Sequence, residues 1–340
     1  MTIRVVIVED SPTMRAILMS RLSAEHDISV VATARDAAEG RELIREFDPD
    51  VVTLDIEMPG MNGLDFLEKL MLLRPTPVII VSGATQAGND VTARALALGA
   101  VDCYSKCDQT GGLPMQDGGR LANLIREAAQ VSFGKPKTAA PLSTGRTGIK
   151  RSSDVRAIAI GSSTGGVEAL QQLLRQFPED CPPTMIVQHV NAQFAPAVAR
   201  TLNEVCPARV VLAESDQPLS RGHVYFAPGE RHMMVTGTNS FFIKLRQGDP
   251  VSGHLPSVDV LFGSMARTFG PQAVGIILTG MGADGAKGLL AMAEKGAFTI
   301  AQDEATCTVF GMPRAAINLG AASVVAPLGR IAHHTFSAAA

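Results

Sequence analysis

Two groups of residues in this chain have the types and spacing to do chemistry. In the first, acidic side chains fall directly after β-branched runs: Glu9 and Asp10 follow residues 3–8, and Asp55 follows 51–54. A hydroxyl, Ser82, and a cation, Lys106, come after the similar runs 77–81 and 101–104. Carboxylates gathered in one place repel one another unless a hard cation sits among them, and oxygen ligands with open positions suit Mg²⁺. With that shielding, Asp55 can attack a phosphoryl group, Lys106 can balance the incoming charge and Ser82 can hydrogen-bond to it. Any one of these acids alone reads better as a turn or N-cap residue. Five chemically matched residues at strand ends read as a site.

The second group opens with Gly161-Ser162-Ser163-Thr164-Gly165-Gly166, after a strand predicted over 155–160. Gly161-x-Ser163-x-Gly165 has the pattern of a nucleophile elbow, in which glycines permit a tight strand-to-helix turn that lifts one hydroxyl toward solvent. The helix start that follows offers backbone N–H groups to a developing oxyanion. A phosphate cradle or a plain helix cap would use the same residues. A serine nucleophile needs a base, and the base an orienting acid. His189 follows the strand 184–187 and so falls at the same sheet edge, whereas His223 opens a strand and falls at the opposite one. His333 and His334 lie past the last strand without a placement.

Thr279-Gly280-Met281-Gly282-Ala283-Asp284-Gly285-Ala286 contains a G-x-G-x-x-G pattern, and Asp303 follows 18 positions after Gly285. On spacing alone this is a dinucleotide fingerprint. Asp284 inside it would set like charge against a pyrophosphate, but the same acid can orient His189 if the two loops meet. A hydrolase with the common chain order of serine, acid and histidine would draw on His333 or His334 instead. Triads are defined by geometry rather than chain order, and Ser163, His189, Asp284 is the preferred set.

Both groups require sheets whose strand ends converge. Over the first 130 residues, strands are expected at 3–8, 28–34, 51–54, 77–81 and 101–104, alternating with helices at 14–25, 37–47, 63–74, 92–98 and 120–129. Short, continuously apolar strands between amphipathic helices argue for a parallel sheet covered on both faces, with ligands beyond the carboxyl ends of the strands. Residues 131–153 are rich in Pro, Gly, Ser, Thr and basic side chains and read as a flexible connector. From 154 to 335 the alternation resumes, with strands at 155–160, 184–187, 209–213, 223–227, 273–278, 298–301 and 323–325. Helices are expected at 167–177, 194–205, 258–269, 286–294 and 313–319, and 233–235 with 241–245 reads as an antiparallel hairpin.

A chain of 340 residues divides naturally into two domains, and 46% hydrophobic with 19% charged residues is ordinary globular composition. A net charge of −3 gives no electrostatic reason to expect a nucleic-acid partner. No apolar run approaches the ~18 residues of a spanning helix, and the N-terminal run is too short for a signal peptide. Five scattered cysteines without a CxxC pair suggest free thiols in a reducing cytoplasm rather than disulfides or zinc.

Glu9-Asp10, the segment Asp55-Ile56-Glu57-Met58-Pro59-Gly60-Met61-Asn62-Gly63, Ser82 and Lys106 together resemble the receiver domain of bacterial response regulators. That resemblance implies a flavodoxin-like (βα)5 fold. It implies Asp55 as phospho-acceptor, Glu9, Asp10 and Asp55 as Mg²⁺ ligands, and Ser82 and Lys106 as phosphate contacts. Two departures stand out: Cys107 where the family usually has proline, and Cys103 where an aromatic residue is usual, with Tyr104 beside it. The serine turn, Gln188-His189 and the 278–286 loop resemble the catalytic domain of the chemotaxis protein-glutamate methylesterases. The expected second domain is doubly wound, mostly parallel α/β with a β-hairpin. The resemblance implies Ser163 as nucleophile, His189 as base, Asp284 as its partner, and the backbone N–H groups of Thr164 and Met281 as oxyanion donors. It further implies hydrolysis of glutamate γ-methyl esters and deamidation of glutamines on chemoreceptors, with a chemotaxis histidine kinase as phosphodonor. The unphosphorylated receiver is expected to cover the active site. No cofactor is expected for the ester step, and neither nucleic acid nor membrane insertion is expected.

Overall fold

In the computed structural model the chain divides into two compact units, Met1–Phe133 and Gly134–Ala340. The structure describes residues 2–58, 63–83, 86–106, 119–131 and 154–336, with the side chains of 86 and 87 excepted. All but the first residue of the expected connector lies outside these residues, as do Pro59-Gly60-Met61-Asn62 and Cys107.

The first unit contains β1 (Ile3–Val8), α1 (Pro12–Ser23), β2 (Ile28–Ala34), α2 (Ala37–Phe47) and β3 (Val51–Asp55). It continues through α3 (Gly63–Leu73), β4 (Val78–Ser82), α4 (Gln86–Ala97), β5 (Asp102–Ser105) and α5 (Arg120–Ala128). Five described strands pair in the order β2-β1-β3-β4-β5, and every pairing is parallel. Every residue of β3 and β4 is buried, as strands covered on both faces require. Because the chain winds outward on both sides of β1, the crevice at the carboxyl ends of β1 and β3 is the topological switch point. Glu9, Asp10 and Asp55 stand there. Two helix starts differ from expectation. Pro12 opens α1 two residues early because Ser11 caps it, its hydroxyl accepting from Met14 N at 3.3 Å. Of the six residues that open α4, ahead of the expected start at Thr92, only Ala87 and Val91 are apolar and Gly88 is among the rest, so no apolar period marks them.

The second unit contains β6 (Ala157–Ser162), α6 (Gly166–Leu174), β7 (Thr184–Gln188), α7 (Ala195–Asn203), β8 (Arg209–Leu212) and β9 (His223–Phe226). The hairpin follows as β10 (His232–Gly237) and β11 (Phe241–Arg246), then α8 (Val258–Phe269), β12 (Ala273–Ile277) and α9 (Ala286–Glu294). The chain closes with β13 (Phe298–Gln302), α10 (Met312–Asn318), β14 (Val324–Ala326) and α11 (Leu328–Phe336). Seven described strands pair in the order β14-β13-β12-β6-β7-β9-β8, and β10-β11 form a separate pair. All pairings in the larger sheet are parallel. β6 is central, with β7 on one side and β12 on the other, so the direction of winding reverses at β6. The carboxyl ends of these three strands carry the serine turn, His189 and the 278–285 loop. The histidines without a placement, His333 and His334, lie on α11, a helix the sequence reading missed. Its Phe336 ring meets Phe177 edge-on, with centroids 4.8 Å apart.

Helix α8 ties the loops at this sheet edge to the core. Its buried positions, Val258, Leu261, Phe262, Met265, Ala266 and Phe269, recur every three to four residues along one face. Val258 at its first turn packs straight onto β6: a Cβ at Gly161 would sit 2.2 Å from Val258 Cγ1. Only a glycine in β6 lets the helix start come this close.

Candidate active site

The serine turn is held by backbone contacts from three directions. Ser163 N donates to Thr279 O at 3.0 Å, Gly166 N to Ser163 O at 2.7 Å, and His189 N to Ser162 O at 3.0 Å. Gln188 fastens the turn to the end of β7: its Nε2 donates to Ser163 O at 2.8 Å, and its Oε1 accepts from Ser162 Oγ at 2.6 Å. Thr279 joins the third loop, its hydroxyl donating to Thr164 O at 3.0 Å and accepting from Val309 N at 2.9 Å. Gly280 lies against the serine, since a Cβ there would come within 2.7 Å of Ser163 Cβ and 2.4 Å of Met312 Sδ. Of the two adjacent serines, Ser162 is fully buried and committed to Gln188, whereas the Ser163 hydroxyl makes no hydrogen bond among the described residues. The backbone N–H groups of Thr164 and Met281 likewise donate to nothing among the described residues.

His189 Nε2 lies 2.8 Å from Asp284 Oδ2, an imidazole and a carboxylate 95 residues apart in sequence. Asp284 is 1% exposed, and its carboxylate takes three further hydrogen bonds from the start of α8. Val258 N donates at 2.7 Å, Asp259 N at 3.0 Å and the Ser257 hydroxyl at 2.8 Å. Burial opposes charge on this carboxyl. The hydrogen bond and attraction from His189, with the Asp259 and Val258 amides, outweigh it and hold Asp284 below the ordinary carboxylate range. A helix N-terminus is a favourable place for such an anion. With Nε2–H turned to Asp284, the lone pair of His189 resides on Nδ1. That atom is buried and makes no hydrogen bond among the described residues. The familiar serine-hydrolase arrangement uses the two nitrogens the other way round. The structure thus joins His189 to Asp284 and sets Ser163 on the adjoining strand end, with the alcohol outside the hydrogen-bonded chain.

Three residues of this neighbourhood escaped the sequence reading: His254, Ser257 and His232. The His254 ring stacks on His189, with centroids 3.7 Å apart and planes within 4° of parallel. Ser257 caps α8, its hydroxyl accepting from Val260 N, and supplies one of the Asp284 hydrogen bonds. His232, 5% exposed, accepts from Ser257 N on Nδ1 at 3.1 Å and holds its Nε2 3.0 Å from Asp249 O, which fixes the tautomer. Only Ser257 ahead of the apolar run of α8, with Asp259 in the first turn, could have signalled any of them. Ser257→Ala is expected to cost about 1–2 kcal/mol of stability through the lost cap and hydrogen bond. A thermal or urea melt of the purified variant checks this. The dinucleotide reading of 279–286 finds no support at Asp303, which accepts from Thr306 N and Oγ1 within its own loop.

In the first unit Lys106 Nζ lies 2.7 Å from Asp55 Oδ2 and 2.9 Å from Glu9 Oε2. One ligand oxygen from each of Glu9, Asp10 and Asp55 falls within 4.8 Å of the others. Burial, then repulsion from Asp55, raises the Glu9 carboxyl to about 7 despite Lys106. Burial also opposes charge on Lys106, but hydrogen bonds and attraction from Asp55 and Glu9 hold its ammonium above the ordinary lysine range. A set of hard oxygen donors with more negative charge than one lysine can balance fits a divalent cation such as Mg²⁺. Ser82 is fully buried on the neighbouring strand, with its hydroxyl turned to Gly83 O at 3.4 Å. Cys103 and Tyr104 are both 2% exposed, and side chains alternate along β5. The Tyr104 hydroxyl pairs with Arg21 of α1, so this aromatic ring faces the α1 side of the sheet.

A family model described as CheB methylesterase matches residues 158–335, and one described as response regulator receiver domain matches residues 5–128. The chain is 51% identical over 323 residues to protein-glutamate methylesterase/protein-glutamine glutaminase 1 of Caulobacter vibrioides, covering 94% of this chain and 93% of the relative. It is 47% identical over 339 residues to protein-glutamate methylesterase/protein-glutamine glutaminase of Agrobacterium fabrum, covering 96% and 94%. The crystal structure of the Thermotoga maritima CheB methylesterase catalytic domain is 34% identical with a TM-score of 0.52, covering 53% of this chain and 96% of that one. The chain belongs to the CheB methylesterase family, with a response regulator receiver domain ahead of the methylesterase domain.

Proposed function

We propose that the chain hydrolyses glutamate γ-methyl esters on chemoreceptors, and deamidates glutamines there, under control of phosphorylation at Asp55. The buried His189–Asp284 pair beside an uncommitted serine carries this reading. Ser163 Oγ attacks the ester carbonyl carbon while His189 Nδ1 takes the hydroxyl proton, and Asp284 holds the resulting imidazolium in place. The tetrahedral oxyanion accepts hydrogen bonds from the N–H groups of Thr164 and Met281. Collapse breaks the C–O bond to the methoxy group, which leaves as methanol with the proton from His189. Water, deprotonated by His189, then attacks the glutamyl-Ser163 ester; the acyl C–Oγ bond breaks, Ser163 Oγ takes the proton back from His189, and the glutamate carboxylate is freed. A glutamine side chain enters the same scheme and loses ammonia.

On this reading residues 1–130 receive the phosphoryl group from a chemotaxis histidine kinase, 131–153 connect, and 154–335 catalyse. Glu9, Asp10 and Asp55 would hold Mg²⁺, which supplies charge neutralisation at the phosphoryl group. Lys106 offsets the remaining charge on the modified Asp55, and the Ser82 hydroxyl turns from Gly83 to meet it. A strong switch, from about 1:99 to 99:1, requires phosphorylation to favour the active arrangement by about 5.5 kcal/mol. The lack of a spanning helix among the described residues is compatible with a cytoplasmic location.

The test measures methanol released from methylated receptor membranes by the full chain, with and without a small phosphodonor and Mg²⁺. Release is expected in both cases, with stimulation by the donor that vanishes on chelation of Mg²⁺ and in Asp55→Asn. A full chain that releases no methanol under any condition rules the reading out.

A further inference from the structure

We infer that His254 is a positioning residue for the base: a neutral imidazole laid flat on His189 that fixes its ring plane and keeps water from that face. The inference rests on His189 acting as the base. The stack is close, 3.7 Å between centroids and 4° between planes, and it leaves His189 with only 9% of its side chain exposed. Asp284 fixes one edge of the imidazole through a single hydrogen bond, which allows the ring to turn about that axis. A flat partner on the face removes that freedom, so Nδ1 keeps one direction.

The backbone that carries His254 is braced to hold such a partner. Val251 and His254 exchange both backbone hydrogen bonds at 3.0 Å, and the two residues between them have positive φ, 53° at Ser252 and 83° at Gly253. This is a tight primed turn. Ser252 Oγ ties it to Asp259 at 2.8 Å, and downstream Ser257 N is anchored on His232. The turn is thus fastened to α8, whose start also holds Asp284, and through Ser257 to β10.

The surroundings of His254 favour its neutral form. His189 faces it from the β7 end and Asp284 from the β12 loop. Asp259 on α8 is engaged by Ser252 and Gly288 N, and His232 on β10 by Ser257 and Asp249 O. Burial first, then repulsion from His189, lowers His254 to about 4 in spite of Asp284. A neutral ring there lets His189 accept a proton during the reaction without a second cation against it, and presents a π face to the imidazolium.

The test compares His254→Ala and His254→Phe in the full chain, following kcat, KM and the acid limb of kcat/KM for methanol release. Replacement by Ala is expected to lower kcat about tenfold or more with KM within about twofold, because a misdirected base costs rate rather than binding. The acid limb should move up by about half a unit or more, since water on a formerly covered imidazole favours its charged form. Phe restores the flat face without a titrating group and should keep kcat within about threefold of the parent and the limb in place. If Ala melts below the assay temperature, Leu replaces it as the ringless filler, with the same expected shift. Equal losses in the ringless and Phe variants with an unmoved limb, or no loss in the ringless variant, would overturn the inference. A parent chain that releases no methanol would instead sink the esterase reading.

Discussion

Ser163→Ala is expected to lower kcat for methanol release by about 10⁵- to 10⁶-fold while leaving the melting temperature almost unchanged. The separation of the two effects follows from how the turn is built. Ser163 contributes to its own turn only through backbone atoms: its N donates to Thr279 O, and its O accepts from Gly166 N and Gln188 Nε2. Alanine keeps all three contacts. The hydroxyl makes no hydrogen bond among the described residues, so its removal strands no partner there. Ser162 cannot stand in for it. That hydroxyl is fully buried and donates to Gln188 Oε1, facing the fastening between β6 and β7. Ser162→Ala therefore separates the two roles: it should melt lower through the unpaired Gln188 oxygen, by about 1–3 kcal/mol, yet retain an intact nucleophile. Methanol release measured beside a thermal melt distinguishes them. A Ser163→Ala chain with more than about a tenth of parental activity would show that another group carries the attack.

The frame of both sites was legible because parallel sheets announce themselves locally. Runs such as residues 5–8 are buried on both faces, so their apolar character is continuous, and whatever polar residue follows stands at the carboxyl edge. That logic placed Glu9, Asp10, Asp55, Lys106, Ser163 and His189 without any tertiary information. It reached Asp284 less directly, since six residues separate the end of β12 from this carboxylate. What escaped was set by contacts between segments with no pattern of their own. His254 sits in a turn between the hairpin and α8, and the packing of the α8 start on β6, with its ties to Asp284 and His232, brings that turn over the end of β7. His232 is an alternating residue of β10 whose imidazole serves Ser257. Helix α11 was lost because a short segment with two histidines in its last turn carries a weak signal. The state of the Ser163 hydroxyl is likewise a matter of side-chain geometry that no spacing encodes. Hydrogen bonds of this kind are often long before substrate binds.

The Asp284→Asn variant should lose both rate and stability, and the reason lies in the donors that surround the carboxylate. Oδ2 faces His189 Nε2 and Val258 N, and Oδ1 faces the Ser257 hydroxyl and Asp259 N. An asparagine amide must turn its NH₂ toward one of these pairs, setting donor against donor in a site that is 1% exposed. If NH₂ meets the His189 side, the imidazole is driven to the tautomer with its proton on Nδ1, and the base loses its lone pair where Ser163 needs it. That change alone should lower kcat about 10⁴-fold. If NH₂ meets the other side, Ser257 can rotate but the Asp259 amide cannot, and the start of α8 loses a buried charge-assisted bond. Either way the cost is about 3 kcal/mol or more. Acid sensitivity supplies an independent readout. The folded carboxyl of Asp284 sits below its ordinary value. Its contribution to stability is therefore complete above the unfolded value of about 3.9 and is lost as pH falls through the lower folded one. Urea melts across the acid range should show a part of this loss that the parent has and Asp284→Asn lacks. A variant that keeps the parent's stability and its acid profile would mean that this carboxylate is not the buried anion on which His189 and α8 converge.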